Sequence, residues 1–495
     1  MTKGRIVKIG SDGALVSDSF DDADEGFWNG VTLRLVDDAG RTVSTHIVES
    51  FSCLGSNQAF VVTPSIHPDS VEVAKAIELD ADVHAPVVAV RRLIGVPFSL
   101  ALPDCEVWLG TTRGTNALLT RTGAKVGLVT SEGFADLLDI GDQSRPELFA
   151  LAIKKRSPLY FSTASIKERV LADGAIDQPI DDENVRTVLA RMRSEGVTSV
   201  AVCLMHSYRF PQHEQRVGEI ADEMGFEEVR LSYQVAPLIK IVPRAETTVL
   251  DAYLNPVISK YLSEITDYLS TDSQLRMMTS AGGLVTGDNF SGKDSVLSGP
   301  AGGAVGAARI ALQAGFNKVI GFDMGGTSTD VSRFDGKDGE FEIEFESHKA
   351  GVRILTPMLA IETVAAGGGS VCWFDGERLR VGPNSAGSAP GPACYGSGGP
   401  LTVTDMNLFL ERIQTDLFPF ALDSQAVQRK LELLCSELWE AGFEYTLERL
   451  ATGFLDIANH NMASAIESVS VAKGLSLIHI SEPTDQRGCR MPSSA

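Results

Sequence analysis

The sequence lacks most of what would place the chain in a membrane, outside the cell or on nucleic acid. Its seven cysteines, at positions 53, 105, 203, 372, 394, 435 and 489, are scattered without a CxxC pair. That excludes a disulfide framework and the usual zinc spacings, and fits a reducing cytosol. No stretch approaches the roughly 18 uninterrupted apolar residues of a membrane span, and the start, MTKGRIVKIGSDG, has no apolar leader segment. Positive charge is scarce, with 43 Lys and Arg against 65 Asp and Glu and a formal charge of -22. Such a surface repels phosphate backbones and anionic lipid, so no nucleic acid and no membrane is expected as a partner, and a cytoplasmic location is expected. Two catalytic signatures are also missing: GxxxxGK[ST] opening a helix, and the GxSxG elbow of serve-as-nucleophile serines.

What is present is a chain of 495 residues, 43% hydrophobic, long enough for a large core and for two or three domains. The first hundred residues alternate short β-branched runs with turn residues, as in GVTLRLVDDAGRTVSTHIV, and read as strands and hairpins. From about residue 105 the texture becomes strand then helix, with KVGLVTSEGFADLLDIG and SVAVCLMHSY beside helical periods such as DENVRTVLARMRSEG. An α/β fold with a mixed or parallel sheet follows. Residues 246 to 270 carry apolar residues at helical spacing and predict a connecting helix broken or kinked near Pro256. Beyond it glycines cluster between apolar runs, and residues 424 to 474 return to helix.

The sharpest chemical signal is KVIGFDMGGTSTDVSRFDG, residues 318 to 336. An apolar strand leads through Asp323, Gly325, Gly326, Thr327, Ser328 and Thr329 into a second strand at Asp330. Glycines let backbone amides approach a phosphate, hydroxyls add donors, and carboxylates hold the metal that neutralises it. A second cluster, LSGPAGGAVGAARIA at 297 to 311, runs Gly299, Gly302 and Gly303 into a helix, which suits either an anion at the helix N-terminus or close helix packing. A third, TVAAGGGSV, places Gly367, Gly368 and Gly369 between apolar flanks, either for a ligand or for a sharp bend.

Upstream, LGTTRGTNALL joins a strand to a helix through Thr112, Arg113 and Asn116, and Arg113 is the cation of that turn, suited to a carboxylate or phosphate or to the surface. PRAETTVLDAYLNP gathers Arg244, Glu246, Thr247, Thr248, Asp251 and Asn255, as substrate contacts or as a capped helix start. His206, His213 and Cys394 read as structural side chains.

Taken in order, GTTRGTNALL, SGPAGGAVGAA, GFDMGGTSTDV, TVAAGGGSV and VGPNSAGSAPGPACYGSGGPLTVTDMNL resemble the hydantoinase A/5-oxoprolinase family over residues 105 to 474. The resemblance implies an α/β, two-lobed ATPase with the ribonuclease H-like core of the acetate and sugar kinase, Hsp70 and actin type. It implies ATP and Mg2+ as cofactors and Asp323 and Asp330 as catalytic and metal-binding carboxylates. Gly325, Gly326, Thr327, Ser328, Thr329, Gly299, Gly302, Gly303 and Gly367 to Gly369 become the phosphate-binding set. Thr112, Arg113, Asn116, Arg244, Asp405 and Asn407 become candidate substrate or metal contacts, with turn formation the alternative for the last two. The activity implied is ring opening of a small cyclic amide, 5-oxoproline or a hydantoin, by phosphorylation of the amide oxygen and hydrolysis. The alternatives are the ATP-dependent activating subunit of an acetone- or acetophenone-type carboxylase, and a non-catalytic scaffold. A hydantoinase B-like domain or subunit and an oligomer are the partners implied.

Three departures accompany the resemblance. A first phosphate loop resembling GGTFTD is expected near the start and does not occur before residue 105, which suggests that an internal methionine stands first. The end, LSLIHISEPTDQRGCRMPSSA, resembles translated adapter sequence in place of a glycine-rich adenosine segment. A fragment incomplete at both termini, binding ATP weakly and catalytically inactive alone, is therefore expected. Ala360 and Glu362 stand where related sequences often carry Asp and His. The expected organisation is a strand-rich part of the N-terminal region over 1–104, an α/β part over 105–240, a catalytic lobe over 241–474 and an artefact tail over 475–495.

Overall fold

Alternation in the first eighty residues does more than form hairpins. Strands Thr2–Ile9, Leu15–Ser17, Asn57–Thr63, Thr42–Leu54, Thr32–Val36 and Ala76–Asp80 pair in that order into a closed barrel. Leu33 and Leu35 point inward on one strand and Ile77 and Leu79 on its neighbour, against Phe51 and Phe60. Between the two leucines, Arg34 pairs with Asp80 at 2.8 Å. Closure leaves no open sheet edge, which no local pattern in the sequence announces.

The chain is described here from a computed structural model covering residues 2–9, 14–17, 24–37, 41–54, 57–74, 76–141, 157–336, 340–418 and 420–473. The tail assigned to 475–495 lies outside the described residues. The chain forms two compact units: Met1–Met278 with Leu284–Val296 and His348–Ile354, and Thr279–Gly283 with Leu297–Ser347 and Leu355–Ala495. Among the described residues, no helix is long and apolar enough to cross a membrane.

In the first unit, strands Glu228–Leu231, Ser199–Cys203, Val126–Ser131 and Tyr160–Ile166 form a wholly parallel sheet in that order. VGLVTS and SVAVC are buried at every position, as strands covered on both faces require. The flanking helix Asp182–Ser194 buries Val185, Leu189 and Met192. The Asp181 side chain caps it by accepting from the amides of Glu183 and Asn184, and Arg191 and Arg193 occupy its last turn.

Of the break or kink expected near Pro256, the break does not occur: one helix runs from Ile241 to Thr266 with Pro256 inside it. Proline removes the amide that would bond the Ala252 carbonyl. The buried Ser199 hydroxyl supplies the missing donor, giving its hydrogen to that oxygen at 2.7 Å. Tertiary packing thus satisfies the carbonyl that the local sequence leaves open.

The second unit centres on the hairpin of strands Lys318–Met324 and Thr329–Asp335, extended by Glu340–Phe341 and by Ile361–Val364, which pairs antiparallel with Thr329–Asp335. Its apolar core lies among helices Val403–Phe409, Ser424–Glu440 and Leu447–Val469. Leu450, Phe454, Ala458, Met462, Ala465 and Val469 give the last of these one continuous buried stripe.

Candidate functional site

The hairpin register sets the first candidate site. Asp323 lies directly across from Asp330, and Gly321 across from Ser332. Residues two apart share a face of a strand, so both carboxylates project to one side. They line a cavity of about 190 Å³ together with Gly303 of helix Ser298–Gln313 and Ile361. The Thr363 hydroxyl donates to Asp330 Oδ1 at 2.7 Å, fixing one carboxylate from the neighbouring strand. Gly321 is required by this packing, since a Cβ there would stand 2.5 Å from Ser332 Oγ.

The turn between the strands closes with the Gly325 amide donating to the Ser328 carbonyl at 2.9 Å. Gly325, Gly326 and Thr327 are exposed, while Ser328 is half-buried. Thr329 is wholly buried and donates its hydroxyl to the Ala366 carbonyl at 2.5 Å, so that side chain belongs to the scaffold.

The glycine run at 367 to 369 also changes role. The amide of Gly368 donates to Gly325 O at 3.0 Å, that of Gly369 to Gly326 O at 2.7 Å, and that of Gly367 to Ser370 Oγ at 2.8 Å. The amides of Gly368 and Gly369 thus hold the hairpin turn and that of Gly367 closes its own loop, and the phosphate-binding role read for the three is corrected to a structural one. A Cβ on Gly367 would lie 2.7 Å from Gly325 O, so only glycine permits the approach. Gly299 sits in the first turn of helix Ser298–Gln313 and Gly302 further along it, and only Gly303 of the three lines the cavity.

A second cavity, of about 460 Å³ in the first unit, collects Thr112, Arg113 and Asn116 at the start of helix Arg113–Thr120. Its wall includes His84 and Tyr261, which the sequence did not single out. The Arg113 guanidinium lies over the Tyr261 ring, 5.1 Å from its centre. His84 Nε2 is 2.6 Å from Glu264 Oε2, and this bond holds the Glu264 carboxyl below its ordinary range. Burial pushes the Tyr261 phenol up. These partners come from segments far apart in the chain, so spacing alone carries no sign of them.

The remaining candidates turn inward. Arg244 is fully buried and donates to the carbonyls of Leu238 and Leu204 at 2.8 and 2.7 Å. Thr247 and Thr248 bond back to their own helix, at Pro243 O and Arg244 O. Asp251 accepts from the Lys293 amide at 2.7 Å, and Asn255 bridges the Gly292 amide and Glu228. Asp405 is wholly buried and accepts from the amides of Ala393, Cys394 and Thr402 and from the Thr402 hydroxyl. The ligand-contact readings of Arg244 and Asp405 are therefore corrected to structural ones. Asn407 donates to Val403 O at 3.1 Å within its helix. Cys394 is buried and its thiol is pushed up by that burial, which suits no nucleophile. His213 Nδ1 meets the buried Glu168 at 2.7 Å, as a structural histidine does.

A family model described as hydantoinase/oxoprolinase matches residues 244–480, and one described as hydantoinase/oxoprolinase N-terminal region matches residues 68–225. The chain is 40% identical over 439 residues to 5-oxoprolinase of Saccharomyces cerevisiae, covering 79% of this chain and 34% of that protein. It is 31% identical over 461 residues to caprolactamase subunit alpha of Pseudomonas jessenii, covering 89% of this chain and 63% of that one. Among solved structures, ATP-dependent caprolactamase from Pseudomonas jessenii superposes with a TM-score of 0.62 at 28% identity, over 86% of this chain and 62% of that chain. Nucleotide-free acetone carboxylase gives 0.64 at 24% identity, over 75% of this chain and 55% of that chain. The α/β fold is the one these ATP-dependent enzymes share. The chain spans about a third of the length of the 5-oxoprolinase it matches.

Proposed function

Because the chain belongs to the hydantoinase/oxoprolinase family, we propose that it is part of an ATP-dependent enzyme that opens a small cyclic amide such as 5-oxoproline or a hydantoin. The observation that carries this reading is the Asp323–Asp330 pair on one face of a hairpin with an exposed Gly325–Gly326–Thr327 turn. Phosphoryl transfer needs positioning and charge neutralisation more than a covalent nucleophile, and the buried Cys394 offers none.

The reaction runs in two steps. The bond from the γ-phosphorus to ADP breaks as a bond to the amide oxygen forms, which removes the amide resonance and leaves an electrophilic carbon. Hydrolysis of that carbon consumes two waters: the first adds and the C–N bond breaks, with the nitrogen taking a proton, to leave an amine and an acyl phosphate, and the second releases inorganic phosphate and the carboxylate.

Two carboxylates directly opposite one another repel unless a cation lies between them. Among the described residues, no group of three or more His, Cys, Asp or Glu could hold a metal. That donor set fits Mg2+, which takes one or two protein carboxylates and completes its shell with water and phosphate oxygens. Asp323 and Asp330 would hold it, and it would supply charge neutralisation on the phosphates. Gly325, Gly326, Thr327 and Ser328 offer the turn that faces them. A hydantoinase B-like partner, an oligomer and a cytoplasmic location complete the proposal.

The test is phosphate release from Mg-ATP with 5-oxoproline, hydantoin, or acetone plus bicarbonate. Stimulation by a cyclic amide, lost about a hundredfold in Asp323→Asn and Asp330→Asn, supports the reading. Stimulation by the ketone and bicarbonate alone would transfer it to the carboxylase alternative.

A further inference from the structure

The turn between strands Lys318–Met324 and Thr329–Asp335 is tied to the start of helix Val403–Phe409 by hydrogen bonds that run through successive peptide units. Thr404 stands at the far end of that chain. Its amide and its hydroxyl both donate to the Gly368 carbonyl, each at 2.8 Å. The amide of the same peptide unit, that of Gly369, donates to the Gly326 carbonyl at 2.7 Å. The peptide unit that carries the Gly326 carbonyl ends in the amide of Thr327, an exposed residue of the turn.

A peptide unit whose carbonyl accepts a hydrogen bond becomes a better donor at its own amide, and successive bonds polarise one another. Two donors on Gly368 O therefore strengthen the Gly369 amide, and its bond to Gly326 O strengthens the Thr327 amide in turn. The neighbouring bond starts from a peptide unit whose carbonyl, Gly367 O, accepts the Ser370 amide at 3.1 Å; that bond, from Gly368 to Gly325 O, is longer at 3.0 Å.

The anchor is fixed. Asp405, beside Thr404, is wholly buried and accepts from the amides of Ala393, Cys394 and Thr402, and it closes a capping box with Thr402 at the start of the helix. The contact with the glycine run is close, since a Cβ on Gly368 would stand 3.0 Å from Thr404 Oγ1.

We infer that Thr404 is a positioning residue for phosphate binding, and that its hydroxyl sets the orientation and donor strength of the Thr327 amide. Thr404 is not among the described residues that line the Asp323–Asp330 cavity, so it acts through the backbone. That the phosphate belongs to ATP rests on the ring-opening reading.

The experiment compares the unaltered 495-residue chain with Thr404→Val, which keeps the shape and loses the hydroxyl, and with Thr404→Ser, which keeps the hydroxyl. In Thr404→Val the backbone amide still bonds Gly368 O, so the variant is expected to fold, and melting curves check it. The readouts are the amide proton shifts of Gly369 and Thr327 in NMR spectra, and phosphate release from Mg-ATP with 5-oxoproline. The expected result is an upfield move of both amide protons in Thr404→Val and a KM for ATP raised roughly fivefold. The KM for 5-oxoproline should stay unchanged, and Thr404→Ser should behave as the parent. An unmoved Thr327 amide or an unchanged KM for ATP in a folded Thr404→Val variant overturns the inference. So do KM values for ATP and 5-oxoproline that rise together, as a general loss of packing would cause. Inorganic phosphate separates the inference from the broader reading. If the unaltered chain releases no phosphate with any cyclic amide, ring opening fails, and titration of the labelled chain with inorganic phosphate decides the role of Thr404 alone. A Thr327 amide that responds to phosphate, and does so severalfold more weakly in Thr404→Val, supports it. No response in the unaltered chain, or an equal one in the variant, overturns it.

Discussion

Asp323 and Asp330 are cross-strand partners at the mouth of one hairpin, and both face the same small cavity. Carboxylates so placed repel, and the proposed Mg2+ would relieve that repulsion. Replacing Asp323 with Asn is expected to stabilise the metal-free protein, by about 0.5 kcal/mol. It is expected also to abolish the rise in melting temperature that Mg2+ gives the unaltered chain. Calorimetric melts with and without 5 to 10 equivalents of a chelator, at roughly constant ionic strength, check both. A variant less stable than its parent, with the Mg2+ effect intact, would count against the metal role.

The turn of that hairpin depends on a glycine forty residues downstream. A Cβ on Gly367 would lie 2.7 Å from Gly325 O and 2.9 Å from Ser328 N. Gly367→Ala is therefore expected to cost about 1 to 3 kcal/mol in urea unfolding, as other overpacked sites do. It should also raise the KM for ATP by displacing the turn. Gly306→Ala is the control, because a Cβ there would meet nothing within 4 Å.

Ser199 and Pro256 form a compensating pair. Ser199→Ala leaves the buried Ala252 carbonyl without its donor and is expected to cost about 1 to 3 kcal/mol. In a Pro256→Ala background the restored amide bonds that carbonyl, and the same serine substitution should cost close to nothing. A double-mutant cycle by urea unfolding measures the difference. Additive effects would show that the two residues act independently.

Glu214 gives stability a pH dependence. It is buried, accepts from the Leu204 amide, the Ser232 hydroxyl and the Tyr233 amide, and burial raises its pKa above the ordinary 4.5. Above pH 4.5 the unfolded chain releases this proton before the folded chain does, so the group's contribution is complete below that pH and is lost as pH rises through the raised value. Glu214→Gln is expected to flatten that slope in urea unfolding between pH 4 and about 7, whatever its effect on absolute stability. An unchanged slope would assign the pH dependence to other groups.

How much of this was legible in the sequence depends on the distance over which each feature is decided. DMGGTSTD forms a strand, turn and strand within a dozen residues, and the structure keeps that order with both aspartates in register. The helix Asp182–Ser194 was equally readable, since its cap and its buried stripe are local. Pro256 misled because the rule that proline ends a helix holds only while the orphaned carbonyl has no other donor, and Ser199 provides one. Asp405, Gly368 and Gly369 have residue types suited to a ligand, yet their atoms are taken by neighbouring backbone, and the Gly367 amide is taken by the Ser370 hydroxyl.

The sequence by itself determined the α/β class, the alternation that makes barrel strands and the family to which the ordered glycine strings belong. Each follows from periodicity or from short-range turn chemistry. Only the tertiary structure decided that the barrel closes, that Gly368 and Gly369 support a turn and that Arg113 lies over the Tyr261 ring while Glu264 bonds His84. Those outcomes depend on which donors and acceptors meet across long stretches of chain. A buried polar atom bonds whatever packing brings within about 3 Å of it, and that neighbour is set by the fold rather than by adjacency in sequence.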